Sequence, residues 1–248
     1  MADYNTVRTA RTTSYDSAVV DQGLRAYMNR VYGLMSVGML VTAAAAWGIS
    51  TAAVDGSGQL SQLGYAIYAS PLKWLIMFAP LIMVFAFGAA MNRLSVQGAT
   101  FMFYAFSALM GLSISSIFLV YTPFSIVQTF LVTAIAFAGL SLWGYTTKRD
   151  ISGWGSFLVM GVIGLIVASI VNIFLQSSAM QFAISAIGVL LFAGLTAYDT
   201  QRIKNLYLQI QNSDADFIGK TAIMGALSLY LDFINMFMFL LQFMGNRN

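Results

Sequence analysis

Seven blocks of apolar residues, each close to the length of a membrane crossing, divide most of this chain. A helix needs about 20 mainly apolar residues to span a bilayer, and short polar connectors separate the blocks. We expect spanning helices at 31–54, 72–92, 98–120, 124–146, 155–176, 180–198 and 221–244. The pattern therefore predicts an all-α membrane protein with seven transmembrane helices.

The small number of charges supports the same conclusion. Of the 248 residues, 8% are charged and 59% are hydrophobic, whereas about a quarter of the residues in ordinary soluble domains are charged. So few charges cannot cover the surface of a water-soluble protein of this length. The basic residues are dispersed at the ends of the spans and form no patch, which excludes a nucleic-acid partner.

Cysteine and histidine are both missing from the chain, and their absence removes whole classes of chemistry. Without cysteine there are no disulfides and no thiolate metal sites. Without histidine there is no Ser-His catalysis, no histidine-ligated haem and no imidazole pH switch. Any proton-linked behaviour near neutral pH must therefore come from carboxylates, and no resident cofactor is expected.

The region before the first span differs from the rest of the chain. Residues 1–17 are polar and contain no apolar core of a cleavable signal peptide, so the first span is expected to remain as an anchor. Apolar residues then follow at helical spacing: Val20, Leu24, Tyr27, Met28 and Val31. This segment is either an amphipathic helix at the membrane surface or the start of a long first helix. We therefore separate a polar tail, residues 1–30, from a transmembrane domain, residues 31–248.

The distribution of lysine and arginine predicts the orientation. With the N-terminus in the cytoplasm, ten of the twelve basic residues lie on the cytoplasmic side, and only Lys73 and Arg247 lie outside. An excess of basic residues in cytoplasmic loops is the usual rule for membrane proteins. The count predicts a cytoplasmic N-terminus and an odd number of spans.

Asp232 lies midway along the last apolar block. A charge at that depth costs at least about 2.5 kcal/mol, so an intramembrane carboxylate indicates a functional site. At helical spacing it shares one face with four other polar or small residues, Thr221, Gly225, Ser228 and Asn235. This polar stripe must face protein or water. The alternative to a functional site is an interhelical hydrogen-bond cluster with no transport role.

Asp199 follows Tyr198 at the end of the sixth block, with Arg202 three residues later. Arg202 is therefore one candidate partner for its carboxylate. Arg93 closes the second span on the same predicted side and is the other. Asp199 is thus expected near the interface, whereas Asp232 lies about 18 Å in from Lys220. The two approach only if helix six continues, helix seven is displaced, or a water-filled vestibule reaches in.

Three stretches carry a resemblance to a known family: FAGLTAYDTQRIK at 192–204, ALSLYLDFIN at 226–235 and GLRAYMNRVY at 23–32. They resemble the Bax inhibitor-1 family, and the third looks like bacterial members. The resemblance implies six helices around a central seventh, in the bacterial inner membrane. It also implies a pH-sensitive calcium leak in which Asp199 and Asp232 share protons. The family's latching arginine matches Arg93, or Asn92 with a shift of one residue.

Elementary electrostatics agrees with that mechanism. Two carboxylates held close together in a poorly solvated place cannot both ionise easily, so such a pair shares a proton. When both are ionised, their oxygens suit calcium, although two side chains make only a weak site. The expected partners are the lipid bilayer, with calcium or protons as the transported ions, and membrane proteases or other membrane proteins.

Two other functions compete with a leak channel. One is a regulator that transports nothing and binds membrane proteases or other membrane proteins. The other is an intramembrane aspartyl protease, since two aspartates on neighbouring helices, one preceded by tyrosine, are typical of that class. The protease reading is disfavoured because Leu229-Tyr230-Leu231 precedes Asp232 where a Gly-x-Gly sequence is expected. We therefore predict that the protein is not an enzyme.

Overall fold

The computed structural model describes the backbone of residues 3–91 and 93–247 and the side chains of residues 20–91 and 93–247. Over these residues the protein is built from long helices, with isolated β-bridges and no strand. The long helices are α1 (Asp3–Ala52), α2 (Leu72–Ala90), α3 (Val96–Ile114), α4 (Pro123–Thr146), α5 (Trp154–Leu175), α6 (Ser178–Ile210) and α7 (Ala215–Met244). Each supplies a stretch long and apolar enough to cross a membrane. The predicted all-α membrane protein with seven spans is confirmed.

Polar side chains fix where several of these helices begin. Ser95, Thr122, Ser177 and Asp214 precede α3, α4, α6 and α7, and each accepts a hydrogen bond from the backbone N–H three residues later. Such caps satisfy N–H groups that have no partner inside the helix. Pro123 occupies the first position of α4, where its missing N–H costs nothing. The short connectors are therefore encoded locally.

The first helix runs without a break through the predicted boundary between residues 30 and 31. Its early apolar residues, among them Leu24 and Met28, are buried in the protein core. The ring of Tyr27 packs on Tyr207 of α6, with centroids 4.7 Å apart. Of the two alternatives for this segment, the structure agrees with the start of a long first helix. The side chains of residues 1–19, including Arg8 and Arg11, lie outside the described residues.

Helix α7 is the centre of the bundle. In its most apolar 18-residue stretch 61% of the residues are buried, compared with 11–33% in the other six helices. It packs against α1, α3, α4 and α6, while α2 packs mainly on α3 and α5 on α6. Tyr230, on α7, lies edge-on to Phe103 and Phe106 of α3, and Phe233 packs on Phe137 of α4. The expected central seventh helix is present, with four direct neighbours and two outer helices.

The two ends of the bundle differ in charge. We call the end where α6 finishes and α7 starts the basic end; it holds Arg25, Arg30, Arg93, Lys148, Arg149, Arg202, Lys204 and Lys220. At the opposite end the C-terminal segment packs against the α3–α4 connector, where Arg247 forms an isolated antiparallel β-bridge with Tyr121. The backbone N–H of Thr122 also bonds the carbonyl of Asn246 at 3.1 Å. The two termini of the bundle thus lie at opposite ends, as an odd number of spans requires.

Candidate functional site

Asp199 lies inside a continuous helix and not at a helix end. The sixth span was expected to finish at residue 198, but α6 continues to Ile210. The exposed fraction of Asp199 is only 7%. The signal for this extension was present in the sequence, because Ile203 and Tyr207 continue the apolar face of the helix and are buried in the core. Of the three arrangements that would join the two aspartates, the continuing helix six is the one observed.

Two polar side chains after Asp199 hold this extension in place. The side-chain amide of Gln201 donates to the carbonyl of Arg149 at 2.8 Å and accepts from the N–H of Ile151 at 3.0 Å. The ammonium group of Lys204 donates to the carbonyl of Tyr145 at 2.7 Å. These three hydrogen bonds, made by two side chains, attach α6 to the end of α4 and to the connector that follows α4. Sequence reasoning did not single out Gln201, because a hydropathy pattern does not show which backbone groups an amide will meet.

The polar stripe of α7 faces α6. A methyl group added at Gly225 would meet the side chain of Ile203. The hydroxyl of Ser228 accepts a hydrogen bond from the guanidinium of Arg202 at 3.3 Å. Asp232, one turn further along the same face, is 5% exposed. The stripe therefore faces protein, as its chemistry required.

The packing of α6 on α7 brings the two aspartates to nearly the same depth. Gly188 of α6 faces Phe239 of α7, and Ile203 faces Gly225. With a rise of 1.5 Å per residue, this antiparallel register places Asp199 and Asp232 within one helical turn of each other. Arg202 contacts Asp199 directly and also bonds Ser228, which lies one turn before Asp232 on α7. Asp199 and Asp232 are thus brought together in one buried cluster.

Arg202 supplies the positive charge of this cluster. One of its terminal nitrogens, Nη2, lies 3.4 Å from Oδ1 of Asp199 and also donates to Ser228. Its guanidinium lies over the ring of Tyr198, 5.8 Å from the centroid. The Arg202 side chain is 52% exposed, so it links the buried carboxylates to the surface of the bundle.

The second carboxylate is less well satisfied. Among the residues that the structure describes, Oδ2 of Asp232 is buried and has no hydrogen-bond partner. Asn235, one turn away, directs its amide to the carbonyl of Leu231 in its own helix, at 2.8 Å. A buried oxygen without a partner is costly when it carries charge. A negative charge on Oδ2 of Asp232 would therefore be costly in this conformation.

Arg93 takes no part in the cluster. Its side chain is exposed, and no described carboxylate oxygen lies within 4.0 Å of it. The reason is the position of α2, which packs on α3 at the outside of the bundle, whereas α6 packs on α7. The predicted pair of Arg93 with Asp199 is thus absent from this structure, and Arg202 occupies that role. Asn92, the alternative latch position, lies outside the described residues.

The acidic residues of the connectors have ordinary structural roles. The Ser57 hydroxyl and two backbone N–H groups bond the carboxylate of Asp55 and lower its pKa. The hydroxyl and N–H of Ser152 lower the pKa of Asp150 in the same way. Asp216 pairs with Lys220 at 2.8 Å. Among the described residues, Asp199 and Asp232 are the two buried aspartates.

The donor set of the cluster suits weak cation binding only. Across the described part of the chain, no group of three or more histidine, cysteine, aspartate or glutamate side chains is placed to hold a metal ion. Calcium usually takes six to eight oxygen ligands, and two carboxylates supply few of them. The cluster fits a passing ion better than a stored one.

Comparison with known proteins decides the family. The model of the family described as "Inhibitor of apoptosis-promoting Bax1" matches residues 24–248. The chain belongs to the Bax inhibitor-1 family. The matched region contains both aspartates, Arg93 and Arg202, so the whole carboxylate cluster lies within the part of the chain that the Bax inhibitor-1 family model covers.

Bacterial relatives match over almost the full length. The chain is 46% identical to "Inner membrane protein YbhL" of Escherichia coli (strain K12) over 225 residues, which cover 91% of this chain and 93% of the relative. It is 47% identical to a protein of Caulobacter vibrioides over 229 residues, covering 92% and 91%. A Rickettsia prowazekii protein is 42% identical over 248 residues, covering 100% and 99%. The protein is thus a multi-pass membrane member of the Bax inhibitor-1 family, with bacterial relatives of the same length.

Proposed function

We propose that this protein is a pH-sensitive leak for calcium or a similar cation, gated by Asp199 and Asp232. The observation that carries the proposal is the burial of two carboxylates on neighbouring helices beside a single guanidinium. Structural polar contacts between spans are usually made by neutral side chains. Intramembrane carboxylates, by contrast, mark ion and proton pathways.

The pH sensitivity follows from the two carboxylates sharing a poorly solvated place. At acidic pH one proton on the pair removes the repulsion between them, and Arg202 balances the remaining charge. As the pH rises and the proton leaves, two negative charges face one cation, and the α6–α7 contact is strained. The ionised oxygens then become ligands for a divalent cation. Since the chain has no histidine, this pair is the pH sensor available inside the membrane.

Arg202 is the candidate latch in place of Arg93. It joins Asp199 on α6 to Ser228 on α7. Because its side chain is already half exposed, it can move away from these two residues without entering another buried site. With both aspartates less than 10% exposed, we assign the conformation described here to the closed state. Opening then requires α6 and α7 to separate at this level.

The decisive experiment is calcium entry into proteoliposomes across a pH series. Purified protein is reconstituted with a calcium-sensitive dye inside the vesicles, and the initial rate is measured from pH 5 to 8. We expect a protein-dependent rate with a sigmoidal pH profile that protein-free vesicles lack. Folded protein with no flux at any pH would contradict the leak and favour the regulator that transports nothing. Calcium-independent cleavage of a membrane substrate would favour the protease reading.

A further inference from the structure

A long groove separates α1 from α4 on one side of the bundle. Helix α1 packs on α3 and α7, and α4 packs on α6 and α7. Apart from a hydrogen bond between Tyr32 and Ser141, the walls of α1 and α4 therefore stand apart. The space between them has a volume of about 1200 Å³. Phe233, Ile234 and Phe237 of α7 form its floor. We call this space the α1–α4 groove.

The groove runs through the thickness of the membrane and opens sideways. Its lining on α1 extends from Arg25 to Trp47, about 33 Å at 1.5 Å per residue, close to the roughly 30 Å of a bilayer core. Leu40 and Trp47 on one wall are 69% and 63% exposed, and Leu131 on the other is 56% exposed. These side chains lie at the depth of the lipid tails. The medium that enters the groove is therefore lipid.

The polar groups of the groove are concentrated at the basic end. Arg25 and Asn29 lie at its mouth, followed by Tyr32 and Ser141, whose hydroxyls bond each other at 2.6 Å. Further in, the lining is almost entirely apolar. Thr42 is an exception, but its hydroxyl is already bonded to that of Tyr230 at 2.6 Å. One charged end and a long apolar remainder match the shape of an amphiphile.

The shape and charge of the groove favour a lipid with a negatively charged headgroup. Acyl chains are thin and flexible, so they can fill a space of this depth and irregular outline. The cationic mouth selects among lipids, because a guanidinium pairs well with a phosphate and prefers a headgroup of net negative charge.

We infer that the α1–α4 groove binds an anionic phospholipid. Its phosphate pairs with Arg25 at the basic end, and its acyl chains lie along α1 and α4 over the floor formed by α7. Since a single leaflet is half as thick as the bilayer, tails from the other leaflet fill the far half of the groove. This site is separate from the carboxylate cluster, which lies on the α6 side of α7.

The test is native mass spectrometry of the full-length protein in detergent with equal amounts of phosphatidylglycerol and phosphatidylethanolamine of the same chain length. We expect about a fivefold preference for phosphatidylglycerol, the effect of one well-placed cation beside an anionic lipid. Arg25→Gln should abolish the preference. Arg30→Gln is the matched control, because Arg30 is also exposed at the basic end but does not line the groove.

A second pair of variants tests the groove itself. Ala43 is exposed and lines the groove, whereas its neighbour Ala44 is exposed and does not. Ala43→Phe should lower total lipid retention severalfold, and Ala44→Phe should leave it unchanged. Equal retention of both lipids by the native protein, or equal losses in Arg25→Gln and Arg30→Gln, would overturn the proposal. A protein dimer that Ala43→Phe dissociates would instead assign the groove to a second copy of the chain.

Discussion

Two clusters of polar side chains lie on α6 and α7, one toward each end of their interface, and they differ in chemistry. The cluster opposite the basic end is made of neutral groups from α5, α6 and α7. Gln181 accepts from the amide of Asn172 at 3.2 Å and donates to Gln242 at 2.8 Å. Ser185 donates to the same Gln242 oxygen at 3.3 Å. Each of these donors meets an acceptor, and none of the groups titrates.

The carboxylate cluster near the basic end has no such match. It contains two acceptor-only carboxylates when ionised, one guanidinium and one hydroxyl. Arg202 serves Asp199 and Ser228, while Oδ2 of Asp232 has no partner among the described residues.

The difference predicts a purely structural role for the amide cluster and a pH-dependent role for the carboxylate cluster. Neutral hydrogen bonds between spans hold helices together and do not respond to pH. A pair of buried carboxylates binds or releases a proton, and its contribution to the α6–α7 contact changes with that proton. The comparison therefore predicts that changes in the carboxylate cluster alter pH behaviour, and that changes in the amide cluster alter only stability.

The largest effect is expected for Asp232→Asn. Asparagine keeps the shape and most of the hydrogen bonding of aspartate but cannot ionise. We expect a folded protein that has lost most of the pH dependence of calcium flux, measured in proteoliposomes between pH 5 and 8. Asp216→Asn, at the exposed start of α7, is the control and should keep the native profile. An unchanged profile in Asp232→Asn would leave Asp232 as part of a hydrogen-bond cluster with no transport role.

Arg202→Ala should have the next largest effect. Without the guanidinium, the pair is expected to hold its shared proton to higher pH, so the midpoint of the flux profile moves upward. Basal flux at acidic pH should rise as well, because Arg202 no longer links α6 to Ser228 of α7. Because Arg202 is half exposed, the loss in the free energy of unfolding should be only about 1 kcal/mol at neutral pH. That loss should shrink at acidic pH, where the carboxylates are protonated. Thermal unfolding in detergent at several pH values measures it.

Arg93→Ala is the matched control for the latch. Arg93 is exposed, and the structure gives it no carboxylate partner among the described side chains. We expect native flux and native stability. If Arg93→Ala opens the protein and Arg202→Ala does not, the latch joins α2 to α6 in a conformation other than the one described.

Gln181→Leu should have a smaller effect, confined to stability. It removes the bonds to Asn172 and Gln242 at a partly exposed site, which is worth about 1 kcal/mol. The melting temperature should fall by the same amount at every pH, and the midpoint of the flux profile should stay unchanged. A pH-dependent loss would show that the amide cluster is coupled to the carboxylates.

The smallest perturbation tests which side of the membrane the carboxylate cluster approaches. The native chain has no cysteine, so a cysteine in place of Asp214, at the exposed α6–α7 connector, is the only labelled site. The connector lies on the side of the membrane that holds ten of the twelve basic residues, and this excess predicts that the side is cytoplasmic. An impermeant thiol reagent applied to the periplasmic side should leave it unlabelled until the membrane is opened. Labelling of this cysteine in intact cells would show that the predicted orientation is wrong.

The sequence by itself determined the membrane residence, the seven spans and the polar stripe of α7. These properties are local, since hydropathy over 20 residues and spacing along one helix depend on neighbours in the chain. The stripe of Ser228 and Asp232 is visible in the sequence because a bilayer tolerates carboxylates only where protein or water covers them. The predicted end of α6 was wrong because it followed hydropathy alone. Arg202 and Lys204 end the apolar block, although the helix continues to Ile210.

Only the tertiary structure decided the partner of Asp199, the common depth of the two aspartates and the existence of the α1–α4 groove. Each depends on which helices are neighbours and in what register they pack, and many packings share the same apolar pattern. Both Arg93 and Arg202 were candidate partners of Asp199 from the sequence, but α2 packs on the outside of α3 while α6 packs on α7. Helical spacing made Arg202 one candidate partner, whereas the packing of α2 away from α6, which hydropathy does not specify, excluded Arg93.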